Sequence, residues 1–169
     1  VIVAQNGVRF DRKKINARFI MNGFKPPSPY KVIDTLLVAK REFGFTSNKL
    51  EYMTDNLCTH IKKRKHQKFP GYSLWAECLK GNEAAWKEMR LYNIDDVRSM
   101  EELYGVLLPW ITAHPNHGLY VDSASIVCDK CGSSHVTKNG KYKTQVGIYQ
   151  QYICNDCGGW SRGRTLLNS

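Results

Sequence analysis

The chain has 169 residues, 25 of them Lys or Arg and 15 Asp or Glu, for a net charge of +10. That length suits one ordinary domain with a small appendage, and a hydrophobic content of 42% supports a real core. No stretch approaches the roughly 20 apolar residues of a membrane span and no signal peptide is visible; a cytoplasmic protein with a polyanionic partner, nucleic acid first, is the expectation.

In chain order, Val1-Ile-Val-Ala reads as a buried strand, and Gln5-Asn6-Gly7 as the turn that ends it. The chain opens inside this apolar run without methionine, as a fragment, a processed product or one half of a split protein would. Asp11 to Gly23 predicts a helix with Ile15, Phe19 and Ile20 inward and Arg12, Lys13 and Arg18 outward. Lys25-Pro-Pro-Ser-Pro29 is a rigid connector, followed by a strand over Tyr30–Asp34 and a helix over Thr35–Phe43. Ser47 reads as the cap of a helix running to about His60. A dense basic run follows, containing Lys62, Lys63, Arg64 and Lys65 between His60 and His66. Ser73–Gly81 predicts a short helix, and Asn82 opens a longer one that continues through Trp110. Its expected core positions are Val97, Met100, Leu103, Tyr104 and Leu107. Pro109 and His114-Pro-Asn-His-Gly118 end it.

Two stations carry candidate chemistry. Asp11 lies at a strand-to-helix junction behind Asn-Gly, exposed and held by rigid backbone on both sides. Tyr92 and Asp96 share one helix face a turn apart, so the tyrosine can hydrogen-bond a water beside an ion held by the aspartate. Hydrolysis by two metal ions requires carboxylates converging on ions about 4 Å apart, and Asp11 and Asp96 are of the required type. Asp34 reads as a strand-end residue and Asp95 as solvent-facing. His60 and His66 read as solvated or phosphate-facing, and His114 and His117 receive no chemical role. The run 62–68 reads as a solvated face or a track for a phosphate backbone.

The order Asn6-x-x-x-Phe10-Asp11, Ile33-Asp34-Thr35-Leu36, Ser47-Asn48-Lys49-Leu50, Leu74-Trp75 and Tyr92-x-x-x-Asp96-Val97 resembles the DEDD exonuclease superfamily in its tyrosine-bearing branch. The chain looks most like the RNase H-like 3′–5′ exonuclease domains of bacteria and phages, over about residues 1–117. Asn6–Asp11 is similar to the second motif of that family and Tyr92–Asp96 to the third. The resemblance implies Asp11 and Asp96 as ligands of Mg²⁺ or Mn²⁺, Tyr92 as the residue that positions the attacking water, and Asn6 near the nucleic acid. It also implies the cytoplasm of a bacterial or phage-infected cell. The family's opening Asp-x-Glu has no counterpart here, so two of four carboxylates are missing. That departure implies a second polypeptide or an upstream segment that supplies them, or a chain inactive by itself.

Cys128-x-x-Cys131 and Cys154-x-x-Cys157, separated by 22 residues and each followed by glycine, present four thiolates to one structural Zn²⁺. Such a site has no open position, so a structural rather than a catalytic ion is the expectation. The remaining cysteines, Cys58 and Cys78, stand alone in helical patterns, as in a reducing compartment. Between the knuckles, Val136–Gly140 and Tyr149–Ile153 alternate like strands around a glycine-bearing turn. The segment resembles a zinc ribbon, with wording similar to ribbons on insertion-sequence transposases. Lys138, Lys141, Lys143, Tyr142, Trp160, Arg162 and Arg164 interleave cations with rings, a pattern that stacks bases and pairs phosphates; Tyr149 and Tyr152 read either with them or as the small core.

The sequence therefore predicts an α/β RNase H-like exonuclease domain lacking its opening strands (1–117), a linker (118–127) and a small four-cysteine zinc ribbon (128–165). The expected partner is nucleic acid, DNA before RNA. Two further readings are a non-catalytic nucleic-acid-binding adaptor on a degenerate nuclease fold, and a transposition or recombination accessory.

Overall fold

A computed structural model describes residues 1–60, 68–122 and 125–168. Strand β1 (Ile2–Ala4) and strand β2 (Val32–Asp34) pair in parallel, with Ile2, Val3 and Ala4 opposite Val32, Ile33 and Asp34. Parallel neighbours need a crossover, and helix α1 (Asp11–Met21) with its proline-rich return supplies it. Helix α2 (Thr35–Glu42) starts directly at the end of β2, capped by the Asp34 side chain, which accepts from Leu36 N at 3.1 Å.

Helices α3 (Leu50–Leu57), α4 (Ser73–Leu79) and α5 (Glu83–Leu107) complete this half. At 25 residues, α5 is about 37 Å long, and it packs at both ends. Near its start, Ala85 and Met89 close a cluster with Leu74 and Cys78 of α4. Near its end, Leu103 and Leu107 close the main core with Ile33, Val38, Ala39, Met53, Cys58 and Ile111. Asn82 caps α5, its side chain accepting from Ala84 N and Ala85 N.

The second sheet is antiparallel, in the order β3 (Val136–Lys143), β4 (Ile148–Cys154) and β5 (Trp160–Leu166). Val136 pairs with Cys154, Tyr142 with Tyr149 and Ile153 with Trp160. Tyr152 is buried at its centre, and Gly163 lies against it in space that a side chain would crowd.

Several expectations need correction. No residue of α1 is buried: Ile20 is 77% exposed and Ile15 is also exposed, because no α1 residue enters either buried cluster and Phe19 packs against Phe24 of the return segment at 5.8 Å. Val97 is 59% exposed; it lies on α5 between the two packing stations rather than at either. Ser47 does not cap the helix that follows it: its hydroxyl accepts from Lys49 N, and α3 opens after Lys49 with no side-chain cap. Asp95 is half-buried rather than solvent-facing. In the second sheet, β3 runs on through Gly140 as an irregularity, and the turn falls at Thr144–Gly147 instead. Strand β5 has no counterpart among the elements the sequence predicts.

Candidate functional site

The junction that holds Asp11 is built around Asp34. This carboxylate is 3% exposed and accepts from Asn6 N at 2.9 Å and Val8 N at 3.0 Å, besides its bond to Leu36 N. One side chain at the end of β2 thus clamps the turn at the end of β1 and starts α2. Asn6 takes a left-handed conformation, φ 60°, which asparagine tolerates better than most residues. Gly7 is buried, and a Cβ there would fall 2.4 Å from the Ala4 Cβ, so only glycine fits. Thr35 hydroxyl donates to Ala4 O, and Gln5 reaches Asn48 O, fixing the turn from two more sides. Asp11 then stands exposed in the first turn of α1, where the helix dipole favours a negative charge. Its carboxylate bends back over Gly7, with Oδ2 3.8 Å from where a Cβ would be.

Tyr92 and Asp96 lie on α5. Tyr92 is half-buried against the cluster of Leu74, Cys78, Ala85 and Met89. Asp96 sits in the stretch between the helix's two packing stations; it is half-buried and its Oδ1 is closed off from solvent. Ser99, fully buried one turn later, donates to Asp96 O at 3.1 Å. Both sides of the basic run are tied to this helix: Glu102 accepts from Thr59 N and His60 N, and Glu88 from Lys68 N. Lys62, Lys63, Arg64 and Lys65 themselves, with His66, lie outside the described residues. His60 is exposed.

Among the described residues, only the four cysteines bring three or more His, Cys, Asp or Glu ligand atoms within 4.8 Å of one another. Neither Asp11 nor Asp96 belongs to a group of that kind among the described residues. They offer the hard oxygens that Mg²⁺ or Mn²⁺ takes, but as a partial set, since such ions bind about six oxygens.

The thiol cluster is more complete. Cys128 and Cys157 sulfurs are 3.7 Å apart and those of Cys131 and Cys154 3.6 Å, too long for disulfides. Sulfurs at about 2.3 Å from a tetrahedral ion stand about 3.8 Å apart, so the four thiols have the spacing zinc requires. Each knuckle turns on a left-handed glycine, Gly132 at φ 77° and Gly158 at φ 73°. Backbone N–H groups of Lys130 and Gly159 point at Cys128 and Cys157 sulfurs, an arrangement that stabilises thiolates. Burial raises the Cys131 thiol; at Cys154 burial is outweighed by N–H donors from Cys157 and Asp156, which hold it below the ordinary thiol range. The cysteines can therefore bind zinc, and no protein position is left open for substrate on it.

The cations and rings proposed from the sequence lie on the surface of this sheet. Lys138, Lys141, Lys143, Tyr142, Trp160, Arg162 and Arg164 are all exposed. Arg162 is held over the Tyr149 ring at 4.3 Å and near that of Tyr142 at 5.7 Å. Sequence reasoning missed the seam between the helical half and the second sheet. There Lys130, 8% exposed, donates through its ammonium to Pro109 O at 2.5 Å, and Asp129 O accepts from His117 N. His114, assigned no role, contacts Tyr104 OH through Nε2 at 2.8 Å and Pro115 O through Nδ1 at 2.7 Å. Proline and histidine spacing alone carries no signal for such a seam.

No helix is long and apolar enough to cross a membrane among the described residues. Neither a curated protein nor a solved structure matches the chain. Residues 1–108, which contain the clamped Asp11 junction and nearly all of the helical half, match the family model described as the RNase_H superfamily; the chain belongs to the RNase H superfamily, a nuclease-type fold.

Proposed function

We propose that the chain is a 3′–5′ exonuclease of the tyrosine-bearing DEDD type, acting on nucleic acid and DNA before RNA. What carries this reading is the coincidence of the superfamily match with the Asp11 junction, a clamped turn after a parallel strand that presents one carboxylate in the first turn of α1. Asp11 and Asp96 are assigned as the chain's ligands to divalent ions, and Tyr92 as the group that orients the attacking water. Bound Mg²⁺ or Mn²⁺ would supply neutralisation of charge on the scissile phosphate. Asn6 and the basic residues 62–65 are assigned to the nucleic acid. Further carboxylates, from an upstream segment or a second polypeptide, complete the ion set. On this reading residues 1–117 are the nuclease domain, 118–127 a linker and 128–165 a zinc ribbon that grips the substrate.

The test is digestion of a strand labelled at its 3′ end and of the same strand labelled at its 5′ end. It uses protein purified with whatever partner accompanies it, in Mn²⁺. The 3′ label should be released first as a mononucleotide, and Asp11→Ala or Asp96→Ala should abolish release while leaving binding intact. Equal digestion by both variants would remove the catalytic assignment. A second reading, a non-catalytic adaptor on the same fold, has support in that the four cysteines form such a ligand group among the described residues while Asp11 and Asp96 enter none. It expects binding without digestion even in the complete assembly.

A further inference from the structure

The seam between the helical half and the second sheet opens into a cleft of about 480 Å³. Trp110 and Pro109, from the short 3₁₀ turn that follows α5, form one wall. Tyr142, Gln151, Trp160 and Arg162 form the other. These four belong to one face of the sheet: Gln151 pairs with Arg162, and Arg162 lies over both Tyr149 and its partner Tyr142. Trp110 and Trp160 are each about half exposed, at 59% and 45%, although rings of that size normally close into a core. Both are nonetheless held. Trp110 meets Phe43 edge-on at 5.5 Å, and Trp160 is fixed in a strand one residue past the Gly159 that hydrogen-bonds the Cys157 sulfur.

We infer that this cleft is a stacking site for unpaired bases of a single-stranded nucleic acid, with Trp110 and Trp160 as its platforms. The inference rests on the nucleic-acid reading given above and adds the place and the strandedness. Aromatic rings line the cleft from both sides, Trp110 on one and Trp160 with Tyr142 on the other, and Gln151 offers an amide to a base stacked on them. A base within a duplex has no free face to present, so the site selects single strands. Charge inside the cleft is balanced. Lys130 and Arg162 stand with Glu42 and Asp129; Glu42 is paired to Arg41 at 2.7 Å, and Asp129 accepts from Ser161 Oγ at 3.0 Å. Stacking rather than ion pairing therefore supplies the affinity at this site, while the net charge of +10 attracts the strand to the surface.

The test titrates the full chain, without added divalent ion, with 12-residue oligothymidylate and oligouridylate. Binding is read by anisotropy of an end label and by quenching of tryptophan fluorescence. Trp110→Ala and Trp160→Ala should each weaken binding roughly 5- to 150-fold, the range of one lost base–ring stack. Trp160→Phe should recover most of the loss, which a merely structural role in the strand would not require. Trp86→Ala, at an exposed ring on α5 outside the cleft, should bind as wild type. Whichever oligomer binds more tightly names the natural polymer. Wild-type affinity in both Trp110→Ala and Trp160→Ala would overturn the inference. So would a 12-base-pair duplex that binds equally and with the same dependence on the two rings. The nuclease reading fails separately, if digestion is indifferent to Asp11 and Asp96 while the tryptophan effects persist.

Discussion

The two ends of this molecule assemble sites in opposite ways. The thiol cluster takes its ligands from two short knuckles that the adjoining strands bring together, and all four sulfurs already stand at the spacing of a tetrahedral ion. The carboxylates proposed for nuclease chemistry come from the start of α1 and the middle of α5, 85 positions apart, and neither enters a cluster of three or more such ligand atoms among the described residues. A closed local site is complete once its segment folds. A site assembled from distant elements depends on every clamp that fixes those elements, and here the clamp is Asp34.

The largest effect should follow removal of the metal from the local site. Native protein should carry one zinc per chain, and chelation or Cys154→Ser should unfold the second sheet while the helical half keeps its circular dichroism. Structural zinc contributes on the order of 10 kcal/mol to such small units. Persistence of the sheet's protease resistance without metal would break the contrast.

Next is the distant site's clamp. Asp34→Ala leaves the N–H groups of Asn6, Val8 and Leu36 without their acceptor. A cost of about 3 kcal/mol or more in chemical denaturation is expected, at roughly 1 kcal/mol or more per buried donor. Loss of digestion should accompany it although Asp34 is not assigned as a ligand, because Asp11 loses its fixed loop.

The seam joining the two regions is weaker. Lys130→Met removes the ammonium bonded to Pro109 O, a charge-assisted bond whose loss should cost about 2 kcal/mol. Limited proteolysis near residue 120 should report the loosened docking.

A pH effect of smaller size belongs to the same seam. Burial first, opposed by the Pro115 carbonyl and reinforced by Lys130, lowers the affinity of His114 for its proton. Neutral imidazole donates from Nδ1 to Pro115 O and accepts at Nε2 from the Tyr104 hydroxyl, and protonation would convert that acceptor into a donor. A histidine whose folded value is depressed contributes stability above its ordinary value near 6.5, and that contribution is lost as pH falls through the lowered one. His114→Gln should flatten the fall in thermal midpoint between about pH 7 and 5.

The contrast also explains what the sequence disclosed. The paired Cys-x-x-Cys motifs, each with its glycine, announced the thiol cluster because ligand chemistry and turn chemistry lie within a few residues of each other. Strands β1 and β2 and the helices beginning at Asp11, Thr35 and Asn82 are legible from turn residues and apolar spacing, but the parallel pairing of the two strands is not, and Val1 and Ile2 are exposed where the apolar run predicts a buried strand. Asp34 was legible only as a strand end, since its work is to bind backbone N–H groups 26 and 28 residues earlier, which no local pattern records. The apolar spacing of Ile15 and Ile20 predicted a buried face where the fold supplies no partner, and Val97 fell between packing stations for the same reason: periodicity gives a face, not what covers it. Strand β5 carries Trp-Ser-Arg-Gly-Arg, whose charges and glycine hide its pairing with β4.

The most direct test of the account is whether the two distant carboxylates share ions. Mn²⁺ titrated into the complete assembly and followed by electron paramagnetic resonance should show loss of the free-ion signal in wild type. Asp11→Ala and Asp96→Ala should each restore most of that signal. Undiminished Mn²⁺ uptake by both variants would contradict a common site and leave a zinc-pinned nucleic-acid binder.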